Sequence, residues 1–303
     1  MNKTSWQEMW QSRRYDVAAI SLIILFFLVF FWPVLSSGKY FVTSDGFIYS
    51  YPLRTVTWNS IRSGHLPLWT PLILSGYPLL SMAQIGIAYP LTWGYLFLPG
   101  WVGEEIYTLA PYILFPAFTY AYAREIGRSR LASLLAALAF GYAGAMISAV
   151  AYNGMLTNAI MWLPLMLIAL ERARKGAFAP CLLGAAGAYA MSVLTGIGQG
   201  FLITGIVALA YALFLGVVWF DSNIYVKDNR PGHWWSWQRW RPLAVAIGAL
   251  ILAGGIAAFQ ILETLVAQRL SIRNALTYGT FTEGSYPPWG LVQSFVTDRK
   301  SVV

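Results

Sequence analysis

Long apolar stretches separated by short polar connections restrict most strongly how this chain can fold. Hydrophobic residues make up 58% of the 303 residues and charged residues 11%, whereas a soluble domain carries about 25% charged residues. So few charges cannot cover a water-exposed surface of this size. The sequence therefore predicts an all-α, polytopic transmembrane helix bundle that forms a single transmembrane domain over residues 1–303.

Seven segments approach the length of roughly 20 apolar residues that a helix needs to cross a bilayer. The predicted spans are 17–36, 106–123, 131–150, 155–170, 178–196, 200–219 and 242–262. The first is longer than the apolar region of about 7–15 residues in a cleavable signal peptide. We therefore expect it to remain as an uncleaved span.

The basic residues predict the orientation of the bundle. With seven spans, thirteen of the twenty Lys and Arg residues fall on the same side as the N-terminus and seven on the other. Cytoplasmic connections carry the excess of Lys and Arg, so the N-terminus is predicted inside and residues 263–303 outside. Short basic clusters between apolar runs are typical of topology signals, and we expect no nucleic-acid partner.

This orientation makes residues 37–105 a long first outer loop. Its segment 82–101 is nearly long enough to span, but Pro and Gly residues interrupt it. A re-entrant or interfacial pair of short helices is predicted there, because such backbone is tolerated at a membrane when protein covers it. If this segment did span, every later connection would change sides.

Pro52 to Ser63 reads as a short helix, since Pro suits the first turn and Gly64 suits the left-handed position after the last. Tyr51, Trp58 and Ile61 share a face with Arg54 nearby, which predicts a helix lying on the membrane surface. The inner loop 220–241, rich in Trp, reads as a second interfacial anchor. Gly184, Gly187, Gly254 and Gly255 are predicted to permit close helix packing.

The scarcity of charge narrows the candidate functional residues. No ionisable residue lies near the middle of a predicted span, and such residues usually mark proton or ion paths. A proton-coupled transporter is therefore disfavoured. Asp45, in "TSDGF" shortly after the first span, is either a turn-forming residue or a carboxylate at the membrane surface that acts as a general base.

Several other outer residues are structural or functional candidates. Glu104 and Glu105 begin the second predicted span and read as acids at a helix N-terminus. Glu263 ends the last span, and Arg269 and Arg273 follow it four residues apart, so both arginines either grip a lipid phosphate or make unspecific headgroup contacts. His65 is a substrate contact or a solvated loop residue.

The sequence predicts no metal site. Cys181 is the single cysteine and lies in an apolar run, so the chain has no His/Cys ligand cluster. Gly46 follows Asp45, so a paired-acid motif is missing there. A divalent metal stays open as an alternative that no motif supports.

Several stretches together resemble the bacterial YfhO family of multi-span membrane proteins, which looks like a branch of the GT-C membrane glycosyltransferases. They run in order across the chain: "SDGFIYSYPL" (44–53), "SGHLPLWTPLILSGYPLLSMAQIGIAYP" (63–90), "WLPLMLIALERARKG" (162–176), "LTGIGQG" (194–200) and "FQILETLVAQRLSIRNALTYGTFTEGSYPPWGLVQSF" (259–295). Each would be a weak signal alone. Relatives of this family are usually longer, so the resemblance predicts that the chain is the N-terminal part of a longer protein.

The resemblance implies transfer of a sugar from a polyprenyl-phosphate donor to a cell-envelope acceptor, on the outer face of the bacterial cytoplasmic membrane. Asp45 matches the usual catalytic acid of the first outer loop. Arg54, Arg269 and Arg273 would stabilise the departing phosphate, and aromatic residues such as Tyr49 and Trp69 would stack on the sugar. A lipid or polysaccharide carrier and a catalytically silent membrane scaffold are the alternatives.

Overall fold

A computed structural model of the chain describes residues 3–39, 46–73, 75–219, 236–271 and 275–282. These residues are helical or irregular, and no strand occurs among them; Thr70 and Tyr77 form an isolated antiparallel bridge. The all-helical class predicted from the sequence is therefore confirmed for the described part of the chain.

Twelve helices of six or more residues make up the described architecture. They are α1 (Lys3–Phe30), α2 (Tyr51–Arg62), α3 (Gly100–Leu109), α4 (Pro111–Glu125), α5 (Arg130–Gly141), α6 (Gly144–Asn153), α7 (Met155–Ile160), α8 (Leu163–Lys175), α9 (Phe178–Leu194), α10 (Gly198–Phe214), α11 (Trp237–Ile256) and α12 (Ala258–Arg269). Shorter helical turns cover Trp32–Leu35, Gly46–Ser50, Ala83–Ile85, Pro90–Trp93, Gly94–Phe97, Leu215–Trp219 and Tyr278–Thr282.

Four helical stretches of the described chain are long and apolar enough to cross a membrane. They are Arg130–Ser148, Met155–Lys175, Gly198–Val218 and Trp237–Ile256, and the apolar helix α9 is shorter. These stretches indicate a membrane protein, since a helix satisfies its backbone hydrogen bonds internally. They coincide with four of the seven predicted spans.

Local sequence signals explain where several helices begin. Ser129 and Ser236 precede α5 and α11, and each side-chain oxygen accepts a hydrogen bond from a backbone N–H three residues later, at 3.3 Å. Pro111 and Pro164 stand in the first turns of α4 and α8, where a helix needs no N–H donor. These residues fix the starts of helices whose length is set by their apolar sequences.

The main core lies among α8, α9, α10 and α11. Ala185, Ala190, Ala249 and Ala253 are fully buried in it, and such small side chains let helix backbones approach closely. A Cβ added at Gly184, Gly187, Gly254 or Gly255 would meet no atom within 4 Å. The prediction that these glycines mediate close packing was therefore wrong; buried alanines of the same helices do so.

Many polar contacts among the described residues up to 264 lie in two groups at opposite ends of the helices. The arginine-rich end comprises residues 16, 124–130, 171–175 and 239–241, where Asp16 lies 3.1 Å from Arg130 and Arg241 donates to the carbonyl of Ala173 at 3.5 Å. The cap end comprises residues 46–109, 154–162, 194–200 and 260–264. Residues that the sequence analysis placed on one side of the membrane thus meet at one end.

Helix α2 confirms the predicted short helix, and Gly64 has the expected positive φ of +78°. The face that was predicted to contact the membrane is instead covered by protein at two of its residues. Trp58 is 4% exposed and Arg54 1% exposed, because this face packs into the protein and the charge of Arg54 has a carboxylate partner. An aromatic helix face looks the same in sequence whether a membrane or protein covers it.

Segment 82–101 contains no continuous helix. It is divided into Ala83–Ile85, Pro90–Trp93 and Gly94–Phe97, none longer than four residues. The predicted interruption by Pro and Gly is confirmed, whereas its depth in a membrane stays a prediction. Most of the predicted Trp-rich inner anchor, residues 220–235, lies outside the described residues.

The chain divides into two compact units, Met1–Thr264 and Leu265–Val303. In the second unit the described residues are the end of α12, a short irregular stretch and the helical turn Tyr278–Thr282. Leu270 and Tyr278 are largely exposed there. All the contacts described below lie within the first unit.

Gly196 provides a test of packing at the cap end. Its φ is +77°, and an added Cβ would overlap the backbone of Ala83, so Gly196→Ala should lower stability by more than about 2 kcal/mol. Gly184→Ala is the matched control, because its Cβ meets open space. Thermal unfolding in detergent should show a lower midpoint for Gly196→Ala alone; equal midpoints would contradict this packing.

Candidate functional site

The cap end contains a buried ion pair between two elements of the predicted first outer loop. Arg54 on α2 donates from Nη1 to both carboxylate oxygens of Glu104 on α3, at 2.8 and 2.9 Å. Both side chains are almost fully buried. A charge that is removed from water requires a close partner, so this pair fixes how α2 packs on α3.

Aromatic residues complete the surroundings of the pair. The guanidinium of Arg54 lies 3.8 Å from the ring centroid of Tyr107, a cation–π contact. The Tyr95 hydroxyl donates to Glu104. The Glu104 carboxylate is therefore bound by a guanidinium and a phenol at once.

The Glu104 carboxylate raises the pKa values of both Arg54 and Tyr95. Burial alone lowers the pKa of Arg54, and the nearby Glu104 carboxylate more than offsets this, so the pKa is raised. Burial, followed by the same carboxylate, raises the pKa of the Tyr95 hydroxyl. Arg54 is therefore always cationic and Tyr95 always a hydrogen-bond donor under physiological conditions.

A second buried network connects separate segments within the cap end. Asn158 donates to the carbonyl oxygens of Tyr107 and Gly154 at 2.9 and 2.8 Å and accepts from the Tyr89 hydroxyl at 3.0 Å. The indole of Trp162 donates to the oxygen of Tyr89 at 3.2 Å. Asn158 thus uses its amide and its carbonyl oxygen to connect three separate segments.

Distant parts of the chain meet at the backbone of residues 79–86. Gln260 donates to the carbonyl of Leu80 at 3.3 Å and Thr264 to that of Ser81 at 3.1 Å. Gly196 packs on Ala83, and Arg54 makes a longer contact of 3.4 Å to the carbonyl of Gln84. Three of the stretches that carry the family resemblance, 63–90, 194–200 and 259–295, therefore have residues at one place.

A small groove lies on the other side of α2. It has a volume of about 150 Å³ and is lined mainly by apolar side chains; its lining is Ile48, Tyr49, Pro52, Leu53, Val56, Thr70, Leu72 and Ile73. Ile48 and Leu72 are largely exposed. The groove can hold an apolar chain of limited length beside the start of α2.

The structure brings only some of the predicted substrate-binding residues near this groove. Tyr49 lines it and places its hydroxyl 3.5 Å from the sulfur of Met82. Trp69 is 60% exposed and its ring covers Gly76 in the neighbouring turn. His65 is exposed after the end of α2.

The other predicted site residues divide among the first unit, the second unit and positions outside the described residues. Arg54 is buried against Glu104, so its guanidinium faces a carboxylate and not an open surface. Glu263 is exposed at the end of the first unit, and Arg269 is exposed in the second unit. Asp45 and Arg273 lie outside the described residues.

Sequence reasoning missed the roles of Glu104, Tyr95 and Asn158. Glu104 was assigned to a helix terminus, whereas it is buried as the partner of Arg54. One signal was present: an arginine beside Trp58 on a largely apolar face needs an acid, because arginine is almost never fully buried unpaired. Nothing in the sequence singled out Tyr95 or Asn158.

No group of three or more His, Cys, Asp or Glu side chains that could hold a metal ion occurs among the described residues. Cys181 is buried in the main core. The described residues therefore supply no group of metal ligands that could act together with Asp45.

Comparisons with models of protein families, with curated proteins and with solved structures gave no match. The resemblance to the YfhO family therefore stays an expectation from the sequence.

Removing one member of the buried pair should destabilise the cap. Glu104→Gln leaves the Arg54 charge uncompensated, and such a change costs about 3–5 kcal/mol. Thermal unfolding in detergent should show a clearly lower midpoint for this variant.

The double variant Arg54→Met with Glu104→Leu removes both charges and tests the cause of that loss. It should unfold at a higher temperature than Glu104→Gln, because no unpaired charge remains buried. A double variant less stable than Glu104→Gln would contradict the assignment of the loss to an uncompensated charge.

Proposed function

We propose that this chain is a membrane glycosyltransferase that moves a sugar from a polyprenyl-phosphate donor to a cell-envelope acceptor. In this proposal it lies in the bacterial cytoplasmic membrane with seven spans and its N-terminus inside. The cap end faces outward, and membrane lipids surround the apolar helices. The family resemblance supplies the reaction, and the geometry of the cap supports it.

The observation that carries the proposal is the anchored cap directly after Asp45. Gly46 and Ser50 are buried at the start of the helical segment that continues into α2, and the Arg54–Glu104 pair holds α2 in place. A catalytic carboxylate has to be positioned relative to its substrate. A helical segment that is partly buried and begins at the next residue supports such a role for Asp45.

The groove beside Tyr49 supports the type of substrate. A polyprenyl phosphate is a membrane-bound leaving group, so its first isoprene units need an apolar surface near the reaction centre. The groove offers apolar side chains and one phenol next to residue 46. We assign it to the part of the donor nearest the phosphate.

The proposed reaction is a single displacement. The Asp45 carboxylate accepts the proton of an acceptor hydroxyl, and the hydroxyl oxygen forms a bond to the anomeric carbon of the sugar. The bond from that carbon to the phosphate oxygen breaks, and the polyprenyl phosphate leaves with the bonding electron pair. Attack from the opposite face inverts the anomeric configuration. Arg54 acts through the cap as a positioning residue.

Replacement of Asp45 tests the catalytic assignment. Membranes containing the chain are incubated with radiolabelled polyprenyl-phosphate glucose, and in parallel with the galactose and N-acetylglucosamine forms. Asp45→Asn should lower the transfer rate by about 100-fold or more, since it removes the proton acceptor. Lys39→Gln, an exposed charge change six residues earlier, should leave the rate unchanged at equal protein amounts.

Two outcomes would overturn the proposal. Asp45→Asn with wild-type transfer would remove the role of this carboxylate. Membranes in which the wild-type chain transfers no sugar from any of the three donors would leave the carrier and scaffold alternatives in its place.

The proposed orientation is tested with single cysteines in a Cys181→Ala background. Leu66→Cys and Gln238→Cys replace exposed residues without changing any charge, so the signals that set topology are preserved. In intact cells a membrane-impermeant maleimide should label position 66 and should reach position 238 only after permeabilisation. The reverse pattern would refute an outward-facing cap.

A further inference from the structure

The arginine-rich end contains a pocket that the proposed reaction does not use. It has a volume of about 550 Å³ and lies where α4, α8 and α10 meet. Its polar lining comprises Glu125, Arg128, Glu171, Arg174 and Tyr211, and Phe214 contributes an apolar wall. The kind of ligand that this pocket can bind depends on which of these charged side chains already have a partner of opposite charge.

The Glu171 carboxylate is fully engaged. It accepts two hydrogen bonds from Arg174, at 2.6 and 3.1 Å, and one from the Tyr211 hydroxyl at 2.5 Å. Glu171 is buried. A ligand that enters the pocket therefore meets a neutralised pair at this position.

Glu125 is compensated in the same way from α8. Arg172 donates to it at 2.9 Å and Lys175 at 2.7 Å. Burial raises the pKa of Glu125, but the hydrogen bonds and positive charges of Lys175 and Arg172 lower it by more. The pKa of Glu125 is therefore below its ordinary value. The carboxylate stays ionised and paired at neutral pH and does not repel an incoming anion strongly.

Arg128 is different, because no carboxylate lies within ion-pair distance of its side chain among the described residues, and that side chain is exposed. Its backbone is held by the turn that ends α4. Gly127 has φ +81°, its N–H donates to the carbonyl of Arg124, and the N–H of Arg128 donates to that of Ala123, both at 3.0 Å. This pair of bonds is the Schellman motif. It fixes the backbone at Arg128, which lines the pocket.

We propose that this pocket binds the phosphate of an anionic membrane lipid, with Arg128 as the main contact. A guanidinium binds phosphate oxygens through paired N–H donors, and basic pockets between membrane helices bind anionic headgroups. Phe214 is 46% exposed and belongs to the apolar stretch Gly198–Val218. An acyl chain can follow that surface, which favours a lipid over a free phosphate.

This inference does not depend on the proposed transferase activity, since the pocket and the cap lie at opposite ends of the first unit. It concerns a lipid that stays bound rather than one that reacts. A chain without any transferase activity would still be expected to retain it.

The experiment measures lipids retained by the purified chain. The protein in detergent is mixed with equal amounts of phosphatidylglycerol and phosphatidylcholine, and native mass spectrometry gives the ratio of the two bound forms. Wild type should prefer phosphatidylglycerol. Arg128→Gln should reduce that preference by about tenfold, since it removes the paired N–H donors to the phosphate, and Arg128→Lys should retain part of it.

Arg14→Gln is the matched control, because it removes one exposed positive charge on α1 outside the pocket. An equal loss of preference in both Gln variants would overturn the site and indicate unspecific attraction by basic residues. An unchanged preference in Arg128→Gln, with an unchanged unfolding temperature, would overturn it as well.

Inorganic phosphate separates the two sources of the anion. Millimolar inorganic phosphate should raise the thermal unfolding temperature little and should leave phosphatidylglycerol bound. Displacement of the lipid, or an Arg128-dependent thermal shift with phosphate alone, would assign the pocket to a soluble phosphate and refute the lipid.

Discussion

The buried pair of Arg54 and Glu104 is the interaction on which the arrangement of the cap depends. It joins two helices that lie 50 residues apart in sequence, within a segment that has few other charges. Two charges removed from water attract each other enough only at short distance and with further hydrogen bonds, and Tyr95 and Tyr107 complete the site. Other packings of α2 would bury an unpaired charge, so the pair selects one arrangement.

The two ends of the bundle differ in how their arginines are paired with carboxylates. At the cap end, the buried arginine is neutralised inside the protein and the polar contacts go mainly to backbone carbonyls, such as those of Leu80 and Ser81. At the arginine-rich end, the pairs around Glu125 and Glu171 leave Arg128 without a carboxylate among the described residues. A surplus cation at a membrane surface attracts anionic headgroups, so this end is suited to contact with lipid.

The sequence allowed the helical class, four candidate spans and the bounds of α2 to be predicted, because each depends on local features such as apolar length, Pro52 and Gly64. The partner of Arg54 could not be predicted, because it is set by tertiary packing across 50 residues. The same limit explains why protein was not predicted to cover the face of α2 with Arg54 and Trp58: apolar and aromatic residues on one face indicate burial but not what buries them. The predicted packing role of the four glycines was wrong for a related reason, since composition does not show which face of a helix contacts its neighbour.

The cap also bears on how one acid could act in a chain without a second one beside it. Two neighbouring carboxylates can position each other through a metal ion or a proton that they share. Asp45 has no such neighbour, because Gly46 follows it. Positioning then has to come from the adjoining backbone. Gly46 is buried and leads into a helix that is tied through Arg54 to α3 and, through residues 79–86, to Gln260 and Thr264. Three of the stretches that carry the resemblance therefore meet at residues 79–86, which Arg54 also contacts from the helix that follows Gly46.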